Sequence, residues 1–154
     1  MDVLSFVKEE YEGLRARMPQ LLGGDMQILA DKALHEFLMG IKLIVRIADE
    51  LILPELAEAT QRGIRHLADA GDQTNTLGRL VSSSLKSGKV GDAKRREIYQ
   101  RLTSHLDLME QAVLPLLREE ISTSVREELC VVARDYKFDS GYGTQMSAAF
   151  AVVS

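Results

Sequence analysis

The chain has 154 residues, 45% of them hydrophobic, with a net charge of −4, a single cysteine (Cys130) and no tryptophan. That is enough apolar material for one core in one domain, and its wealth of Leu, Ala, Glu, Arg and Lys predicts an all-α fold. The acidic balance argues against a general nucleic-acid binder, the lone cysteine fits a reducing compartment, and neither a signal-peptide pattern at Met1-Asp2-Val3 nor an apolar run of about eighteen residues is present, so a soluble cytoplasmic protein without nucleic-acid or membrane partners is expected.

The first helix is predicted over Asp2 to Leu22, with Leu4, Val7, Tyr11, Leu14, Met18 and Leu21 at the alternating spacing of a core-facing stripe. Gly23-Gly24 stops it and Asp25 is placed to cap the next. The second helix runs from about Met26 to Ala59 with Phe37, Ile41, Ile44, Ala48 and Leu51 inward, and Pro54 is expected to bend its last turns rather than end it. A polar, less regular stretch covers Thr60 to Ala70 and reads as a short helix or a helical continuation. Gly71-Asp72 reads as a stop and cap for a third helix, about Gln73 to Lys86, with Leu77, Val81 and Leu85 inward. Ser87 to Asp92 is the clearest loop, and Asp92 at its end is placed to cap the next helix. The fourth helix, about Ala93 to Glu120, directs Ile98, Leu102, His105, Met109 and Val113 to the core. Ser124 with Glu127 forms a capping box for a short fifth helix to Tyr136. The tail from Lys137 combines glycines and aromatics with an apolar end, Ala148-Ala-Phe-Ala-Val-Val153, and belongs to the same domain. Cys130 is expected to be packed and Lys94-Arg95-Arg96 to be solvated surface.

The most informative feature is a repeat. His105-Leu-Asp-Leu-Met109-Glu110-Gln-Ala-Val-Leu-Pro115-Leu-Leu contains, in its second half, a near copy of Ala48-Asp49-Glu50-Leu-Ile-Leu-Pro54-Glu-Leu. A helical histidine followed by acidic residues and an apolar-Pro-apolar ending, in two helices, resembles the second and fourth helices of hemerythrin-like (HHE cation-binding) domains. Met1-Asp-Val-Leu-Ser-Phe-Val-Lys-Glu-Glu-Tyr11 is similar to the family's opening and Ser124-Val-Arg-Glu-Glu-Leu to its closing helix, so the resemblance spans residues 1 to 135 in order. It implies an up-down four-helix bundle, here with a short fifth C-terminal helix and the tail 136–154, built around a di-iron centre.

The ligands that the resemblance implies are mostly replaced. Tyr11, Ile44 and Thr74 (or Asn75, one register on) stand for histidines, Ala48 and Met109 stand for glutamates, and His105 alone keeps its ligand type. Two iron ions need imidazoles and bridging carboxylates, which Ile44 and Ala48 cannot supply. His105 is then a buried imidazole in need of a partner, with the Tyr11 hydroxyl or Thr74 suited to that role, and Met109 is a core filler. The expectation is a non-enzymatic binding or regulatory protein without a cofactor. One alternative is a displaced iron site of His105, Tyr11, Glu50 and Glu110 that handles dioxygen, nitric oxide or iron. Another is an unrelated helical bundle that forms a homodimer through the tail, using Tyr136, Phe138, Tyr142 and Phe150. His35 and His66 do not converge on a site with His105, and no phosphate loop, nucleophile elbow or His-Glu-x-x-His occurs.

Overall fold

The computed structural model describes residues 1–22, 31–61 and 63–141, apart from the side chain of Asp31. The Gly23-Gly24 stop, the Asp25 cap, the start of the second helix at Met26 and the tail beyond Gly141 lie outside the described residues. The regular structure among those described is all helical, with no strand. Helix α1 spans Val3–Arg17 and continues into a 3-10 turn, Met18–Leu21. A long second rod comprises α2 (Asp31–Ile47), a π turn (Ala48–Ile52) and α3 (Leu53–Ala59). Helix α4 covers Ile64–Ser87. Another rod follows, with α5 (Asp92–Leu108), a second π turn (Met109–Val113) and α6 (Leu114–Glu120), and α7 (Thr123–Asp139) closes the described chain. Helix α4 packs on α2 and α5, while α1 packs on α2 and α7. No described helix is long and apolar enough to cross a membrane.

The two sequence repeats adopt the same local structure. One residue separates each proline from the π turn before it, which Leu53 N–H closes on the Ala48 carbonyl and Leu114 N–H on that of Met109. Proline lacks the N–H that would serve the carbonyl four residues back, and its ring crowds that carbonyl. One wide turn accommodates both defects while the helix goes on. Pro54 does not end the helix, as expected: the rod continues through the π turn to Ala59. Beyond each proline the inward residue returns in register: Ile52 and Leu56 in the first copy, and Val113 and Leu117 in the second, are fully buried.

Several helix ends differ from expectation. Gly71-Asp72 neither stops nor caps a helix, because α4 begins at Ile64 and runs through both residues. An interior glycine costs about 1 kcal/mol relative to alanine. The stripe of Leu67, Ala70, Thr74 and Leu77, half-buried to buried at helical spacing, offsets that cost, and most of the stretch from Thr60 to Ala70 is helical, as one reading of it had it. The break falls instead at Gly63, whose φ of 64° suits glycine and whose missing Cβ leaves room for Leu116. Helix α7 is capped by Ser122, whose Oγ accepts from Val125 N–H, and not by the Ser124–Glu127 box; it extends to Asp139, past the expected end at Tyr136. Asp92 is the first residue of α5 and pairs with Arg95 rather than capping. Lys94 and Arg95 are accordingly half-buried, and only Arg96 of that basic run is freely exposed.

The apolar stripes form one core. Every stripe residue expected of the two long rods is buried, and so is Cys130. In α1 the stripe is turned slightly, so that Val3 and Phe6 are buried and Leu4 is half-buried. Asp2 caps α1 by accepting from Leu4 N–H at 2.9 Å, and its other oxygen lies 2.9 Å from Arg126 Nε. Arg126 also donates to the Arg118 carbonyl and to Thr123 Oγ1, joining the first turn of α1 to the α6–α7 corner. Lys137 reaches Glu10 across the same α1–α7 seam.

Candidate functional site

The six positions that the resemblance aligns with metal ligands all lie inside the core. Tyr11 is on α1, Ile44 on α2, Thr74 on α4 and His105 on α5, while Ala48 and Met109 are the opening residues of the two π turns. None is more than 1% exposed. Asn75, the alternative to Thr74, is exposed and borders a surface groove. The inward stripe of α4 therefore runs through Thr74.

His105 is fully buried, with Nδ1 at 3.4 Å from Thr74 Oγ1, while Nε2 has no hydrogen-bond partner among the described residues. That distance is long for a hydrogen bond, so the imidazole is weakly held. Desolvation pushes its pKa down to about 4, which keeps it neutral at physiological pH. Of the two partners expected for this imidazole, Thr74 is the one observed. Tyr11 is buried beside the same core; burial, reinforced by the Glu110 charge, pushes its pKa above the ordinary range and opposes the phenolate that would bind ferric iron.

The other acids and imidazoles of the displaced-site alternative are held elsewhere. Glu50 is exposed and accepts from Arg46 Nε at 2.7 Å; Glu110 is exposed and pairs with Arg15 at 3.1 Å, alongside Asp107 at 3.0 Å. His35 and His66 are exposed. Among the described residues no three His, Cys, Asp or Glu side chains are grouped so that they could hold one metal ion. Ile44 and Ala48 carry no donor atom, Met109 offers a soft thioether, and no carboxylate takes the bridging position. This donor set does not fit a di-iron pair.

A second feature was not singled out by motif. A groove of about 910 Å³ runs between α2 and α4, with Lys42, Arg46, Arg79 and Lys86 among its lining residues. Its floor is low because α4 presents Thr74, Gly78 and Ser82 there. A Cβ at Gly78 would lie 3.1 Å from Val45 Cγ1, so the two helices approach closely at that point. Arg46 is committed, being bonded to Glu50 and stacked 3.7 Å above the Tyr136 ring. One signal in the sequence marks the groove: residues 73–91 contain Arg79, Lys86 and Lys89 but no Asp or Glu, on an otherwise acidic chain.

No family model, curated protein or solved structure matches the chain.

Proposed function

We propose that this protein is a hemerythrin-like up-down bundle in which a closed core has taken the place of the di-iron centre, and that it serves as a non-enzymatic binding or regulatory protein. The observation that carries this reading is the sealing of all six aligned positions, five of which hold side chains other than His or Glu. Any helical bundle would bury these stripes; what favours the resemblance is the order of Tyr11, Ile44, Ala48, Thr74, His105 and Met109 along the chain together with the repeated proline ending. A working site has no reason to fill ligand positions with Ile and Ala. The paired π turns before Pro54 and Pro115 support the same reading, since they keep both rods in register across the core while their ligand residues differ.

The test is the iron content of the full chain, purified without chelators from iron-supplemented cells, together with its visible spectrum. The reading predicts iron well below one per chain and no charge-transfer band. Iron near two per chain, the complement of the family's bundle sites, would overturn it and make His105 the first residue to mutate.

A further inference from the structure

We propose that the α2–α4 groove is a binding site for a compact polyanion of the phosphate class, held by Lys42 from one wall and by Arg79 and Lys86 from the other. This inference goes beyond the reading of the closed core and does not depend on it.

Charge carries the first part of the argument. Among the described residues, Lys42, Arg79 and Lys86 make no ion pair, although they border one groove on a chain of net charge −4. A fourth cation stands close by, because Lys94 on α5 crosses to α4 and donates to Ser83 Oγ at 3.2 Å. Ser83 and its neighbour Ser82 both line the groove. Ammonium, guanidinium and hydroxyl donors are the groups that bind phosphate oxygens, with the guanidinium able to engage two at once.

Shape and the arrangement of sign favour a compact ligand over a polymer. The groove volume lies in the range of small-molecule sites. Residues 60–63 alone connect α3 to α4, and α4 packs on both α2 and α3, so α4 runs back along the second rod. This antiparallel course sets Lys42 towards the Lys86 end and Asp49 and Glu50 towards Thr74. A nucleic-acid backbone tracking the groove would leave the basic end and meet two carboxylates, whereas a short polyanion can stay at the basic end. Gly78, Ser82 and Ser83 are small residues on the α4 side of the groove. A larger residue on α4 would fill the space that the ligand needs.

Inorganic triphosphate is a suitable first probe, titrated into the full chain at fixed ionic strength and followed by calorimetry. Saturable binding near one per chain is expected. The Lys42→Ala/Lys86→Ala and Arg79→Ala variants should each weaken it about tenfold or more. Ser82→Phe, which preserves charge, should block it equally, and Arg65→Ala/Arg101→Ala, which removes two cations that do not line the groove, should leave it within about twofold. Circular dichroism and melting temperature confirm that each variant is folded. Absence of saturable binding would overturn the proposal. So would an equal loss in the Arg65/Arg101 variant, which would mean diffuse charge attraction, or full binding by Ser82→Phe. Tight binding of duplex DNA without binding of triphosphate would also overturn it, in favour of a polymer.

Discussion

The two proline-containing rods have the same architecture around different interiors. In the first, Ile44 precedes a π turn that opens at Ala48 and leads to Pro54; in the second, His105 precedes one that opens at Met109 and leads to Pro115. All four leading residues are sealed in the core. What the copies share, apolar spacing and a proline, is sufficient to make the turn and restore the register beyond it. What differs, an imidazole against an isoleucine, leaves that geometry unchanged. The shape of this centre is thus set by packing and backbone hydrogen bonding, and the chemistry of its side chains is a separate variable.

Truncating equivalent core residues tests the equivalence most severely. Leu56→Ala and Leu117→Ala both remove a fully buried side chain just after a π turn, and each should lower the unfolding free energy by about 2–5 kcal/mol in urea titrations. Values that differ by more than a factor of about two would show that the copies are not energetically equivalent.

Acid should separate the copies, because only the second holds a buried base. Folded His105 binds its proton near pH 4 and the unfolded residue near pH 6.5, so between those values the unfolded chain holds more protons. Stability contributed by keeping the imidazole neutral is complete above pH 6.5 and is lost as pH falls towards 4, at most about 3 kcal/mol. The wild type should lose this increment over the variant His105→Leu when urea midpoints are compared at pH 7 and 4.5. Carboxylate titration is common to both chains and cancels. An identical pH dependence in the two would contradict the buried neutral imidazole.

At neutral pH the second copy should tolerate conversion to the chemistry of the first. Thr74→Val with His105→Leu removes a 3.4 Å contact and an unpartnered ring nitrogen together, and should change stability by less than about 1 kcal/mol or increase it. A large loss in that double variant would mean that His105 makes a stronger interaction than its geometry indicates. The smallest effect is expected at the prolines themselves. Both are exposed, and Pro54→Ala or Pro115→Ala should shift stability by about 1 kcal/mol or less, alike in the two copies, since the recovered N–H is offset by a less restricted unfolded chain.

The sequence made the helices and the core legible wherever periodicity decided the outcome. Phe37, Ile41 and Ile44 in one rod, and Ile98, Leu102 and His105 in the other, are inward as spacing required. Local capping signals were less informative. Gly71-Asp72 looked like a boundary, yet the apolar stripe on either side of it carried α4 through; Ser124 and Glu127 matched a capping box, yet Ser122 took the role two residues earlier. Such ends are decided by competition between nearby candidates of similar energy. The π turns leave no clear sequence signal beyond proline within an apolar run. Thr74 was reached only through the resemblance, as one of two partners offered for His105, whereas the inward stripes of the two rods could be read from spacing. The groove could not, because it depends on how closely α2 and α4 approach at Gly78, a tertiary fact that the missing carboxylates of residues 73–91 only suggest.

The most direct test of the closed-core account is anaerobic reconstitution of the full chain with excess ferrous iron, followed by desalting and measurement of iron per chain. The account predicts iron well below one per chain, unchanged in His105→Leu. Retention of about two iron ions per chain, lost in His105→Leu, would contradict it and establish a working centre in the core.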